Sequence, residues 1–147
     1  MTELPHHYKA SAEAEHDGDV SLTSSGLQSL VSAPPVEFGG PGDKWSPETL
    51  LVASVADCFV LSFRAIARAS KLSWTSISCE VEGTLERKDR TTKFTQFAVH
   101  ATLFVPSGTD EERAHRLLEK AEENCLITSS LSAVTHLEAV VNEATGN

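Results

Sequence analysis

Hydrophobic and polar positions along the first third of the chain predict strands. Tyr8 to Glu15 alternates, Asp17-Gly18-Asp19 supplies a turn, and Val20 to Ser25 is rich in β-branched and small polar residues. Gly26 punctuates the chain before a third apolar stretch, Leu27 to Ala33. Pro34-Pro35 and the run Gly39-Gly40-Pro41-Gly42-Asp43 bracket an extended loop. The period then changes. Ser46 is a good helix N-cap, Pro47 fits the first helical position, and Glu48 suits the positive helix end. Between Leu50 and Phe63 apolar residues cover almost the whole circumference, and amphipathic character returns only near Arg64 and Arg68. The predicted helix, 47–70, is roughly 36 Å long. One sheet covers one face of a helix, so part of its cover is expected from a partner subunit.

The middle of the chain predicts a hairpin. Thr75, Ile77, Cys79 and Val81 share one face of a strand, and Ser76, Ser78, Glu80 and Glu82 share the other. Arg87-Lys88-Asp89-Arg90 forms the turn. The return strand places Phe97, Val99, Ala101, Leu103 and Val105 inside. Thr109 and Glu112 form a capping box for a second helix, Asp110 to about Asn124, with the apolar stripe Ala114, Leu117, Leu118 and Ala121. A last strand runs from about Val134 to Val141. Three strands, a helix, two strands, a helix and a strand, without regular βαβ alternation, predict an α+β fold. Antiparallel sheet packs on long central helices.

Length and charge narrow the functional classes. The 147 residues make one domain, 1–147, with 40% hydrophobic residues to build its core. Lys plus Arg total 12 against 21 Asp plus Glu, a formal charge of -9. Nucleic-acid binding needs clustered cations to displace counterions from phosphates, so that class is excluded. The longest apolar run, roughly Leu50 to Phe63, is interrupted by Asp57, whereas a membrane span needs about 20 predominantly apolar residues. The N-terminus Met-Thr-Glu-Leu-Pro-His-His lacks the basic and apolar regions of a signal peptide. The expectation is a cytoplasmic protein off the membrane, with thiols kept reduced.

Three cysteines, 21 and 46 residues apart, make no disulfide framework, and with no close pair among them they predict no structural zinc. His100 and His115 fall on polar faces, His136 is alone in its strand, and none has ligand spacing; no metal or other cofactor is expected. A cysteine on an apolar helix is usually core filler, as Cys79 on its strand is expected to be. Cys58 gains interest from Cys125. At the end of the second helix, after Glu122 and Glu123, a thiolate is disfavoured, so Cys125 suits a resolving thiol better than a first nucleophile. An attacking and a resolving thiol suffice for reductive peroxide chemistry: the first becomes sulfenic acid, and the second condenses with it to a disulfide. Trp45 and Phe38 flank the helix start, where they could line an apolar pocket or simply pack.

The stretch Lys44-Trp45-Ser46-Pro47-Glu48-Thr49-Leu50-Leu51-Val52-Ala53-Ser54-Val55-Ala56-Asp57-Cys58-Phe59 resembles the Pro-Glu-…-Ala-…-Cys-Phe helix of the OsmC/Ohr family of organic hydroperoxide reductases. Cys125 matches the family's second cysteine, and the order of elements agrees over essentially the whole chain. The resemblance implies an intertwined homodimer with two sites at its interface. It makes Cys58 the peroxidatic thiol, Cys125 the resolving thiol and Glu48 a polar partner of the site. It also implies organic hydroperoxides as substrates and a dithiol reductant, with lipoylated protein the donor in the Ohr branch. Ten residues separate Glu48 from Cys58, about 15 Å along a helix, so the two meet only if the central helices of a dimer run antiparallel.

The resemblance has two departures, which mark a divergent branch. The family carries an arginine before this helix, whereas here no arginine precedes Arg64; Leu126 stands where a proline often follows the second cysteine. Two other readings therefore stand beside the reductase. One is a thiol redox sensor or apolar-ligand binder that does not turn over, and the other a metal-binding protein using Cys58, Cys125 and an acid.

Overall fold

The computed structural model describes residues 3–144, so the ends of the expected domain 1–147 lie outside the described residues. The backbone forms two units, Met1–Leu51 and Val52–Asn147. Two separate three-stranded sheets and few helices make the class α+β.

The first unit holds an antiparallel meander, β1 (Ser11–Glu13), β2 (Val20–Thr23) and β3 (Leu30–Ser32). These strands are shorter than the sequence pattern predicts, because pairing stops where the turns at Gly18 and Gly26 take positive φ. After β3 the chain makes a 3-10 turn, Val36–Phe38. A backbone bond from Ala33 to Trp45 (2.8 Å) then brings the end of the loop back beside β3. This fixes the entry to the long helix, α1 (Pro47–Ala69). Its cap is reciprocal: the Thr49 backbone N–H donates to Ser46 Oγ (3.1 Å), and the Ser46 N–H donates to Thr49 Oγ1 (2.9 Å). The loop leaves no room at Gly40, where an added Cβ would lie 1.6 Å from the Pro34 carbonyl oxygen.

In the second unit α1 buries one stripe completely, Val55, Phe59, Phe63 and Ala67, at four-residue spacing. The expected burial on most sides is not met within the chain, and Leu61 is 50% exposed. By length and hydropathy alone α1 could cross a membrane, its most apolar stretch reaching a mean hydropathy of 1.9. Asp57, which interrupts the apolar run, is a single exposed carboxylate on this helix. The four-residue burial stripe is that of a helix packed on a protein core.

The sheet of this unit consists of β4 (Ser76–Lys88), β5 (Thr91–Val105) and β6 (Val134–Glu143), with β5 central. β4 and β5 form the predicted hairpin, closed by Asp89 and Arg90 at positive φ (50° and 69°), the backbone of a two-residue turn that follows strand twist. Phe97, Val99, Ala101, Leu103 and Val105 are buried as predicted. A bulge near Thr84/Leu85 leaves Thr95 out of the pairing register and lets Phe94 stack on Phe97 (5.4 Å).

β6, however, pairs parallel to β5, so the sheet is mixed and not wholly antiparallel. Parallel neighbours need a crossover, which is supplied by α2 (Glu111–Glu123) and the short α3 (Leu126–Ser129). α2 buries the predicted stripe, Ala114, Leu117, Leu118 and Ala121. Its cap is Asp110, whose carboxylate accepts from the Arg113 N–H (3.1 Å); Thr109 instead donates its hydroxyl to the Pro106 carbonyl. The Arg113 guanidinium also donates to the Ser70 carbonyl, tying α2 to the end of α1.

Gly40 offers a direct check on the loop. Its φ is not positive, so the cost of a side chain there is steric. Gly40→Ala is expected to lower stability by about 1–3 kcal/mol. An unchanged midpoint in urea unfolding would show that the loop does not hold this path.

Candidate functional site

In the second unit the structure brings Cys58 and Cys125 together. Cys58 is half-buried on α1, on the face that it shares with Ser54, Leu61, Ser62 and Ala65. These residues follow helical spacing of four, three, four and seven from the cysteine. Opposite them stand Leu126 and Ile127 of α3, and between lies an open, largely apolar groove of about 470 Å³. Cys125 is the N-cap residue just before α3 and is only 2% exposed. The Cys58 side chain lies close enough to act directly on its thiol and favours the protonated form of Cys125.

Burial pushes the Cys125 thiol above its ordinary range, and the neighbouring Cys58 adds to the rise. Hydrogen bonds from the backbone and hydroxyl of Thr128 oppose it. The cause thus differs from the sequence expectation. Desolvation holds the proton, and Glu122 and Glu123 are not among the groups that act on this thiol. Glu122 is itself held above the usual carboxylate range, by burial first and then by Glu123, with His136 opposing.

Cys79 is half-buried on β4, and burial, with Cys125 a smaller influence, pushes its thiol up to about 11. His100 stands on the outer face of the sheet, its Nδ1 3.2 Å from Glu138 on the neighbouring strand. Among the described residues no three His, Cys, Asp or Glu side chains converge to hold a metal ion.

Glu48 belongs to the first unit. It lines a cavity of about 480 Å³ with walls from β2, Pro34, Phe38 and Leu50. Its Oε1 is buried and has no hydrogen-bond partner. Phe38 therefore does line an apolar cavity. Trp45 faces a different one, with Val31, Lys44 and Thr49. The groove residues beside Cys58 were not singled out from sequence, although Leu61, Ser62 and Ala65 at helical spacing carried that signal. Leu126 and Ile127 carried none, since their approach depends on the crossover.

Comparison with known proteins agrees with this architecture. Residues 40–139 match the family described as OsmC-like protein. The uncharacterized protein YmaD of Bacillus subtilis is 24% identical over 137 residues, 90% of this chain and 91% of that protein. A structure described as an organic hydroperoxide resistance protein OsmC from Legionella pneumophila is 28% identical, with a TM-score of 0.74 over 95% of this chain and 99% of that one. An OsmC-like protein of unknown function from Vibrio cholerae superposes with a TM-score of 0.85 at 16% identity, covering 92% of this chain and all of that one.

The raised Cys79 thiol makes a pH prediction. The reactive species is the thiolate, so alkylation of Cys79 by iodoacetamide is expected to rise about tenfold per pH unit from pH 7 to 10 and to level off near its value of about 11. Peptide mapping after timed alkylation of the folded protein reads this directly. A Cys79 rate that levels off near pH 8 would contradict its burial.

Proposed function

The chain belongs to the OsmC-like protein family, and from that premise we propose that it is a thiol peroxidase reducing organic hydroperoxides. The observation that carries the reading is the closeness of the Cys125 thiol to the Cys58 side chain beside an open apolar groove. Cys58 is the sulfur that solvent and substrate can reach. In its thiolate form it attacks the distal peroxide oxygen; the O–O bond breaks, an alcohol leaves with one proton, and Cys58 becomes sulfenic acid. Cys125 then supplies its sulfur, its proton leaves with the sulfenic hydroxyl as water, and a Cys58–Cys125 disulfide forms. A dithiol, with a lipoylated protein as the donor class, reduces that disulfide by two exchanges and is itself oxidised to a disulfide.

Burial of Cys125 suits its part. A thiol held protonated does not compete for peroxide, yet it already lies against the sulfur that it must attack. The groove wall of Leu61, Ala65, Leu126 and Ile127 favours an apolar peroxide over hydrogen peroxide.

Glu48 enters through a second copy. Ten residues of straight helix hold it about 15 Å from Cys58 of its own chain. In a homodimer with antiparallel central helices, Glu48 of one copy approaches Cys58 of the other. The faces of α1 left uncovered within the chain, with Leu61 50% exposed, support such a partner. We place the protein in the cytoplasm, where its thiols are kept reduced.

The alternative is a redox sensor or apolar-ligand binder that does not turn over, and the lack of any arginine before Arg64 favours it. The deciding experiment is a single turnover with one equivalent of cumene hydroperoxide or hydrogen peroxide, followed by intact mass. Wild-type protein is expected to lose two hydrogens, faster with the organic peroxide. Cys58→Ser is expected to lose all peroxide consumption. Cys125→Ser should consume one equivalent and accumulate a dimedone-reactive sulfenic acid. Thiols unchanged over many minutes would reject the peroxidase in favour of the binder.

A further inference from the structure

The groove beside Cys58 carries a charge at one point. Asp57, the residue before the cysteine, is exposed and lines it together with Leu61, Ala65, Leu126 and Ile127. Successive helical residues stand about 100° apart, so this carboxylate is one step around the rim from the half-buried thiol. Among the described residues Asp57 makes no ion pair and no side-chain hydrogen bond. No Lys, Arg or His of those residues joins the lining. Arg64, seven residues on and about 10 Å along the helix, is exposed and lies outside it. An unneutralised carboxylate therefore stands at the entrance to a largely apolar surface, next in sequence to the reacting sulfur. The wider field has the same sign. The chain carries a formal charge of -9, and residues 1–51 hold eight Asp and Glu against Lys9 and Lys44. A second copy laying that segment over the groove would add negative charge and not cancel it.

We propose that the groove selects uncharged organic hydroperoxides and turns away those with a carboxylate near the peroxide, and that Asp57 makes this distinction. The inference rests on the peroxidase reading and names the substrate class of that site. Two effects act against an anionic substrate. Its carboxylate loses hydration against Leu61 and Ile127, with no cation there to replace it. It also comes close to Asp57, where like charges in contact disfavour each other about fivefold even in water. A neutral hydroperoxide meets neither cost, and a cationic one is drawn to Asp57.

Two matched series test it. The first reads the field without turnover: Cys58 of the reduced protein is alkylated with neutral iodoacetamide or anionic iodoacetate, each rate referred to the same cysteine in the urea-unfolded chain. Iodoacetate is expected to be slowed about fivefold relative to iodoacetamide. In 1 M salt, where the screening length falls to about 3 Å, most of that difference should vanish. The second series compares single-turnover rates with cumene hydroperoxide and its para-carboxylate and para-ammoniomethyl derivatives. The carboxylate is expected to be slowest, by about fivefold or more. Asp57→Asn should bring the anionic and neutral rates together in both series. A ratio taken at one sulfur does not depend on its thiolate fraction, so this readout separates charge selection from altered Cys58 reactivity. Asp89→Asn removes the same charge at the hairpin turn, outside the groove, and should leave both ratios unchanged. Equal folded-state rates for neutral and anionic reagents, ratios unmoved by Asp57→Asn, or an equal shift with Asp89→Asn would each overturn the proposal. Failure to consume cumene hydroperoxide would reject the peroxidase reading and this substrate class with it, while the alkylation ratio would still show whether Asp57 governs entry.

Discussion

Parallel pairing of β6 with β5 is the constraint from which the thiol arrangement follows. Parallel neighbours cannot be joined by a tight turn, so the chain must travel back along the sheet before β6 begins. α2 makes that return, anchored by its stripe of Ala114, Leu117, Leu118 and Ala121. The residues between the end of α2 and the start of β6 must then turn the chain again, and Cys125 lies at that corner. Its burial is therefore a property of the topology. The corner also delivers Leu126 and Ile127 opposite Cys58, so one connection supplies both the second thiol and the far wall of the groove.

The two sulfurs are consequently unequal. Cys58 opens onto the groove, whereas Cys125 is almost fully enclosed and keeps its proton because its anion would be poorly solvated. Thr128, one turn on, offers both a backbone and a side-chain donor that partly offset this. Stabilisation of the anion thus exists at the buried sulfur but does not outweigh desolvation. The two thiols thus stand close together, with the inaccessible one held protonated.

Much of the scaffold was legible in the sequence because local chemistry settled it. Ser46-Pro47-Glu48 marked the helix start to the residue, and the alternation from Phe97 to Val105 marked the inner face of β5. What was not legible depends on long-range partners. Alternation gives a strand its faces but not its direction, so β6 was expected antiparallel. Thr109 and Asp110 are both good caps, and the choice fell to Asp110 because Thr109 is occupied by the Pro106 carbonyl. Both cysteines of the proposed mechanism could be named from the chain, yet their closeness could not, since they stand 67 positions apart and meet only through the crossover. The unpartnered oxygen of Glu48 was invisible for the same reason: a missing donor is a fact about three-dimensional surroundings.

The apolarity of α1 exceeds what its own chain uses. One stripe of four residues is buried, and Leu61 beside Cys58 stays 50% exposed although solvation of that surface is unfavourable. A helix serving only as the spine of this unit would need polar residues at such positions. Retaining apolar ones leaves surface that the proposed substrate, along the groove, and the proposed second copy, over the rest, would cover. The -9 net charge sets the opposing condition, because it keeps chains with such exposed apolar faces from associating at random. Apolar cover and electrostatic repulsion together favour association only where surfaces fit closely, which is what the proposed composite site would require.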